Sequence, residues 1–123
     1  MNEAHLDRIS PFACVMDAIE PDKRQQHLAI AEHLFHSVNE IQELSDGYAF
    51  RLSNESDVLL KVAEFISLEK LCCPFFGFII EVEPEGGDVW LQLTGREGVK
   101  AFIKAEIGEF MDESIAFPPT FLP

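Results

Sequence analysis

The sequence predicts an α+β domain in which a mostly antiparallel four-stranded sheet, made of two hairpins, carries three helices packed mainly on one face. Three observations lead there. Two pairs of short runs alternate apolar and polar residues about the turn-forming segments Ser45-Asp46-Gly47 and Pro84-Glu85-Gly86-Gly87-Asp88, which is the pattern of hairpins. Three longer stretches repeat apolar residues at three- and four-residue spacing, the pattern of amphipathic helices. The 123 residues are 47% hydrophobic with eleven Phe, enough for one core that needs neither disulfide nor metal to fold. Four strands need cover on one face, and the helices supply it.

Residues 1–12 read as an irregular lead-in to a single domain spanning 1–123. Pro21 suits the first turn of a helix, where its missing N–H costs nothing. Leu28, Ala31, Phe35 and Val38 then mark an apolar stripe, so a helix is predicted from about Pro21 to Val38. Ile41 and Leu44 precede Asp46-Gly47, and Tyr48, Phe50 and Leu52 alternate after it, giving the first hairpin. Asn54 to Asp57 is polar and suited to capping. Val58 to Cys73 is apolar around most of its circumference and is predicted to be a largely buried helix, stopped near Cys72 or Cys73 by Pro74. Phe76 to Val82 and Val89 to Thr94 form the second hairpin. Thr94 and Glu97 have capping-box spacing ahead of a last helix striped by Val99, Phe102, Ile103, Ile107 and Phe110.

Residues 112–123 form an extended apolar tail with three prolines, which forbid another helix. Ile115, Phe117, Phe121 and Leu122 are poor residues to leave in water. They either fold back on their own sheet or lie across a second copy in a two-fold homodimer. The uncovered sheet face tips the expectation toward the dimer.

Charge narrows the partners. The chain has 22 acidic and 9 basic residues, a net charge of −13, and Lys23-Arg24 is its one adjacent basic pair. Nucleic acid and anionic membrane, which select clustered Lys and Arg, are excluded as expected partners. No run approaches the ~20 apolar residues of a spanning helix, and Met1 to Ser10 lacks the apolar centre of a signal peptide. A cytoplasmic setting follows as an expectation, and with it three cysteines kept as thiols.

Those cysteines carry the main chemical lead. Glu69, Cys72 and Cys73 are three and four residues apart, so a helix places them on one face. Vicinal cysteines with a carboxylate one turn earlier make a partial ligand set for a soft ion, zinc or another thiophile. Completing ligands must come from elsewhere: Cys14, or a histidine among His27, His33 and His36. His33 and His36 share a helix face, while His27 points elsewhere. The ordinary alternative is that the cysteines are small core residues in a non-enzymatic interaction module. Thiol catalysis is disfavoured, because a helix C-terminus and Glu69 both oppose a thiolate, whereas a bound cation would reverse that balance. No catalytic residue is assigned. The sequence has no Gly-rich phosphate loop, serine nucleophile elbow or His-Glu-x-x-His.

Glu69-Lys70-Leu71-Cys72-Cys73-Pro74-Phe75, Val82-Glu83-Pro84 to Gly86, Trp90-Leu91-Gln92-Leu93-Thr94-Gly95 and Glu97-Gly98-Val99-Lys100, with Gly47-Tyr48-Ala49-Phe50 and the Cys14 segment, resemble a family of small uncharacterised bacterial proteins. The resemblance spans roughly Phe12 to Ile107. It implies a bacterial source and a single domain, and it carries over no activity and no catalytic residue.

Overall fold

The computed structural model describes residues 11–119. Most of the expected lead-in, and Phe121 and Leu122 of the tail, lie outside the described residues. A 3-10 turn at Met16–Ala18 leads to helix α1 (Pro21–His36), strands β1 (Glu40–Leu44) and β2 (Gly47–Leu52), and helix α2 (Val58–Cys72). Strands β3 (Gly77–Val82) and β4 (Val89–Thr94) follow, then helix α3 (Val99–Ile107) and a 3-10 turn at Gly108–Phe110. The strands pair antiparallel in the order β1-β2-β4-β3. The two hairpins thus meet along β2 and β4, a strand order that alternation alone does not reveal.

Register puts Tyr48 opposite Leu93, Phe50 opposite Leu91 and Leu52 opposite Val89. These six side chains share one face of the central pair and belong to the buried core with Leu34, Phe35, Val62, Phe65, Ile103 and Ile107 from the three helices. The other face is not bare. Ala49 and Trp90 on it are buried, and the Arg51 guanidinium lies over the Trp90 ring while donating to Glu40 and Asp88. Lys100 reaches from α3 to Glu43 of β1 at 2.6 Å, pinning that helix to the sheet.

The structure corrects several expectations. The expected stripe of α1 is buried at Ala31, Phe35 and Val38, and only its first position differs. Leu28 is half exposed, and His27, Ala31, Leu34 and Phe35 are the buried side chains. Helix α2 buries one face rather than its whole circumference. Val58, Val62, Phe65, Glu69 and Cys72 face in, while Leu60 is 72% exposed. Its apolar composition misled because α1, the Met16–Ala18 turn and the sheet together cover only one side of it. The capping box is absent: Thr94 ends β4, paired with Gly47 and Gly77, and α3 begins after Gly98. Gly47 is a strand residue paired with Leu44 rather than a turn centre. Glycine is required there because a Cβ would fall 1.9 Å from the Leu93 carbonyl oxygen.

The tail folds back on its own domain as far as it is described. The Phe117 ring packs edge-on to Tyr48 at 5.0 Å and to Phe50 at 5.9 Å, and Ile115 also touches the core. No helix among the described residues is long and apolar enough to cross a membrane.

Candidate metal centre

The last turn of α2 builds the centre. Helical spacing stacks Glu69 under Cys72, whose Sγ lies 3.5 Å from Glu69 Oε1 and 3.6 Å from the Glu69 carbonyl oxygen. Cys73 leaves the helix at φ −130°, ψ 69°, ahead of Pro74. That break turns its sulfur back to 3.9 Å from the Cys72 sulfur. The pair is buried within the core, and all three cysteines are free thiols.

Cys14 arrives on a separate segment. The Val15 N–H donates to the Cys72 carbonyl oxygen at 2.9 Å, using one of the carbonyls that a helix end leaves without a partner. Arg24 Nε donates to the carbonyls of Met16 and Ile19 at 3.0 and 2.9 Å, so α1 holds the same segment from its other side. The Phe12 ring packs against Phe75 and Phe102. Held this way, the Cys14 sulfur lies within 4.8 Å of the sulfurs of Cys72 and Cys73. Cys14 is exposed as a residue, but its sulfur faces the buried pair.

His27 completes the cluster. It is 2% exposed, and its Nε2 lies 2.8 Å from Glu69 Oε1. Its ring stacks on Phe65, which fixes its plane. His27, Glu69 and Cys72 form a second group whose donor atoms all lie within 4.8 Å of one another. Of the candidates named from sequence, Cys14, His27, Glu69, Cys72 and Cys73 come together, and His33 and His36 do not. Both are exposed on the outer side of α1, and His36 faces Asp112 at 3.5 Å. A signal for His27 existed: with Ala31, Leu34, Phe35 and Val38 it continues the helical buried face back by one turn.

The electrostatics order the thiols. The Cys73 S–H and then His27 both face the Cys72 sulfur and lower its pKa to about 6, against the opposing effects of burial and Glu69. The helix-end argument against a thiolate is outweighed because it omitted these two donors. With charge on Cys72, the Cys73 thiol is driven far above its ordinary range by that neighbour, by burial and by Glu69. Burial first, and then Cys72, push Cys14 up to about 12. Burial pulls the His27 imidazole down, but Cys72 and Glu69 together outweigh it and lift its pKa to about 9.

This geometry departs from a hydrolytic triad. There, one ring nitrogen meets the nucleophile and the other meets the acid. Here the acid, Glu69, meets Nε2, and Nδ1 is buried with no hydrogen-bond partner among the described residues. The sulfur spacing suits a metal instead. A Zn–S bond of ~2.3 Å sets sulfurs about 3.8 Å apart around a tetrahedral ion and about 4.0 Å apart around a trigonal one, and the Cys72–Cys73 separation is 3.9 Å. No protein family, no curated protein and no solved structure matches the chain.

Proposed function

We propose that this protein binds a soft metal ion or a related thiophile, with the sulfurs of Cys14, Cys72 and Cys73 as ligands. One observation carries the reading: two segments far apart in the chain bring three free sulfurs within 4.8 Å. Thiolate ligands select soft ions. Cys72 supplies the first thiolate at neutral pH, and the charge of a bound ion deprotonates the other two. His27 and Glu69 orient Cys72, or enter the ligand set when an ion calls for nitrogen or oxygen. A reducing cytoplasmic setting, which we also propose, keeps the sulfurs available.

The test is metal analysis of protein purified without chelator, followed by titration of the reduced protein with Zn²⁺ and Hg²⁺. One ion per chain is expected, with loss in Cys72→Ser and weakening in Cys14→Ser. Substoichiometric uptake that Cys72→Ser leaves unchanged would end this reading.

The second reading is an interaction surface, and the edge strand β3 favours it. Ile79 and Val82 are 51% and 55% exposed, beside the unpaired backbone groups of an edge. Two copies joined along β3 in a homodimer would cover both. Light scattering on the wild type and on Ile79→Lys/Val82→Lys tests it, and a wild type that stays monomeric at high concentration ends it.

A further inference from the structure

A cavity of about 230 Å³ opens beside the thiols. Cys14, Cys73 and His27 stand on its reactive side, and Phe65, Ile107 and Phe110 give it apolar wall. An ion held by three sulfurs does not need that space. An apolar cavity of ~150 Å³ already accommodates a benzene ring. Two further features mark the space as a ligand site. His27, which lines the cavity, has a buried Nδ1 with no hydrogen-bond partner among the described residues. Glu106 and Glu109 also line the cavity and favour a ligand with an electropositive centre.

We propose that the centre takes a soft element bearing one organic substituent and two exchangeable positions, a trivalent aryl-arsenic compound being the type. Cys14 and Cys73, the two sulfurs that line the cavity, bind the element, and the substituent lies against Phe65, Ile107 and Phe110. Cys72 remains with His27 and Glu69. This rests on the thiol-centre reading and adds the ligand class to it. With an arsine oxide, two sulfur–arsenic bonds form and the arsenic–oxygen bond is lost. The two thiol protons leave with that oxygen as water. Arsenic stays trivalent and keeps its carbon, so the step needs no oxidant or reductant.

The experiment titrates phenylarsine oxide and methylarsine oxide into the reduced full chain in competition with a small dithiol, with Hg²⁺ as a parallel arm. Wild type is compared with Leu28→Trp and Ala31→Leu, which fill the cavity from α1. Wild type should prefer phenyl over methyl by roughly 10-fold or more, since each buried CH₂-sized group is worth about fourfold. Either filling should bring the preference close to unity and leave methyl and Hg²⁺ binding unchanged. Leu28 is half exposed, so Leu28→Trp tests the idea even if Ala31→Leu overpacks the helix. Equal binding of phenyl and methyl by wild type, or a preference that survives both fillings, overturns the proposal while Hg²⁺ uptake keeps the thiol centre standing. Loss of Hg²⁺ uptake as well overturns both.

Discussion

Glu69 is a carboxylate with 7% of its surface exposed, and a buried charge needs a partner close enough to offset its lost hydration. His27 Nε2 at 2.8 Å is that partner. Removing one member of such a pair leaves the other uncompensated, whereas removing both need not. His27→Leu should therefore destabilise the fold by about 3–5 kcal/mol, and His27→Leu/Glu69→Leu should cost less than that single change. Urea denaturation of the two single variants and the double closes the cycle. Additive losses would show that the two side chains do not stabilise each other. The Cys72 thiol gives a second, independent reading. Its pKa is lowered from 9.0 to about 6, so its thiolate should appear as the pH rises through about 6 and dominate at neutral pH. Ultraviolet titration of the reduced protein should show this early step in wild type and lose it in Cys72→Ser. Cys73→Ala should move it upward in pH, because the Cys73 S–H is the largest of the effects that lower it. A first step at the ordinary thiol pKa in wild type would refute the ordering.

At the scale of elements, the segment carrying Cys14 has no regular structure beyond one 3-10 turn and depends on what clamps it. Phe12 is one clamp. Its ring lies under the Arg96 guanidinium at 4.1 Å and beside the first turn of α3. Gly98, at φ 97°, leaves room for it, since a Cβ there would meet the Phe12 ring at 2.9 Å. Gly98→Ala should thus cost about 1–2 kcal/mol for the left-handed backbone alone, and it should also displace Phe12. The expected signature is a lower thermal midpoint together with faster alkylation of Cys14 relative to Cys72 and Cys73. A lower midpoint with an unchanged Cys14 rate would show that Phe12 does not hold the segment. The elements themselves were legible because alternation and helical spacing are local signals. The stop of α2 at Cys72, before Pro74, was legible for the same reason. The buried face of α1 was legible at Ala31, Phe35 and Val38 and misread only in its first turn, where the same spacing fits Leu28 and its neighbour His27, and packing against Glu69 of another helix turns His27 inward. Thr94 misled because its backbone was already committed to β4, paired with Gly47 of β2 and Gly77 of β3.

For the whole molecule, the convergence of Cys14 on Cys72 and Cys73 is long-range information that no local pattern encodes. The sequence offered the ligand types, and tertiary packing selected among them, keeping Cys14 and leaving His33 and His36 outside. The same packing would make the proposed ion binding a property of the entire fold. The three sulfurs lie on the segment ahead of α1 and at the C-terminus of α2, two parts that the Val15–Cys72 backbone hydrogen bond also links. The unfolded chain has no such preassembled set, so an ion that prefers the folded arrangement must stabilise it by mass action, by about 2.7 kcal/mol at a hundredfold excess over the dissociation constant. Thermal unfolding with and without Zn²⁺ under reducing conditions measures that shift. Wild type should gain several degrees, rising with ion concentration. Cys14→Ser should change the apo midpoint little, because serine nearly matches cysteine in size, and should lose most of the gain because no third sulfur is left to bridge the two segments. Phe117→Ala should lower the apo midpoint by removing the ring packed on Tyr48 and Phe50, yet retain the full ion-dependent gain, since it touches none of the ligands. If Cys14→Ser gained as much as wild type, the stabilising ion would be bound without the first segment, and the site would reduce to the Cys72–Cys73 pair with His27 and Glu69.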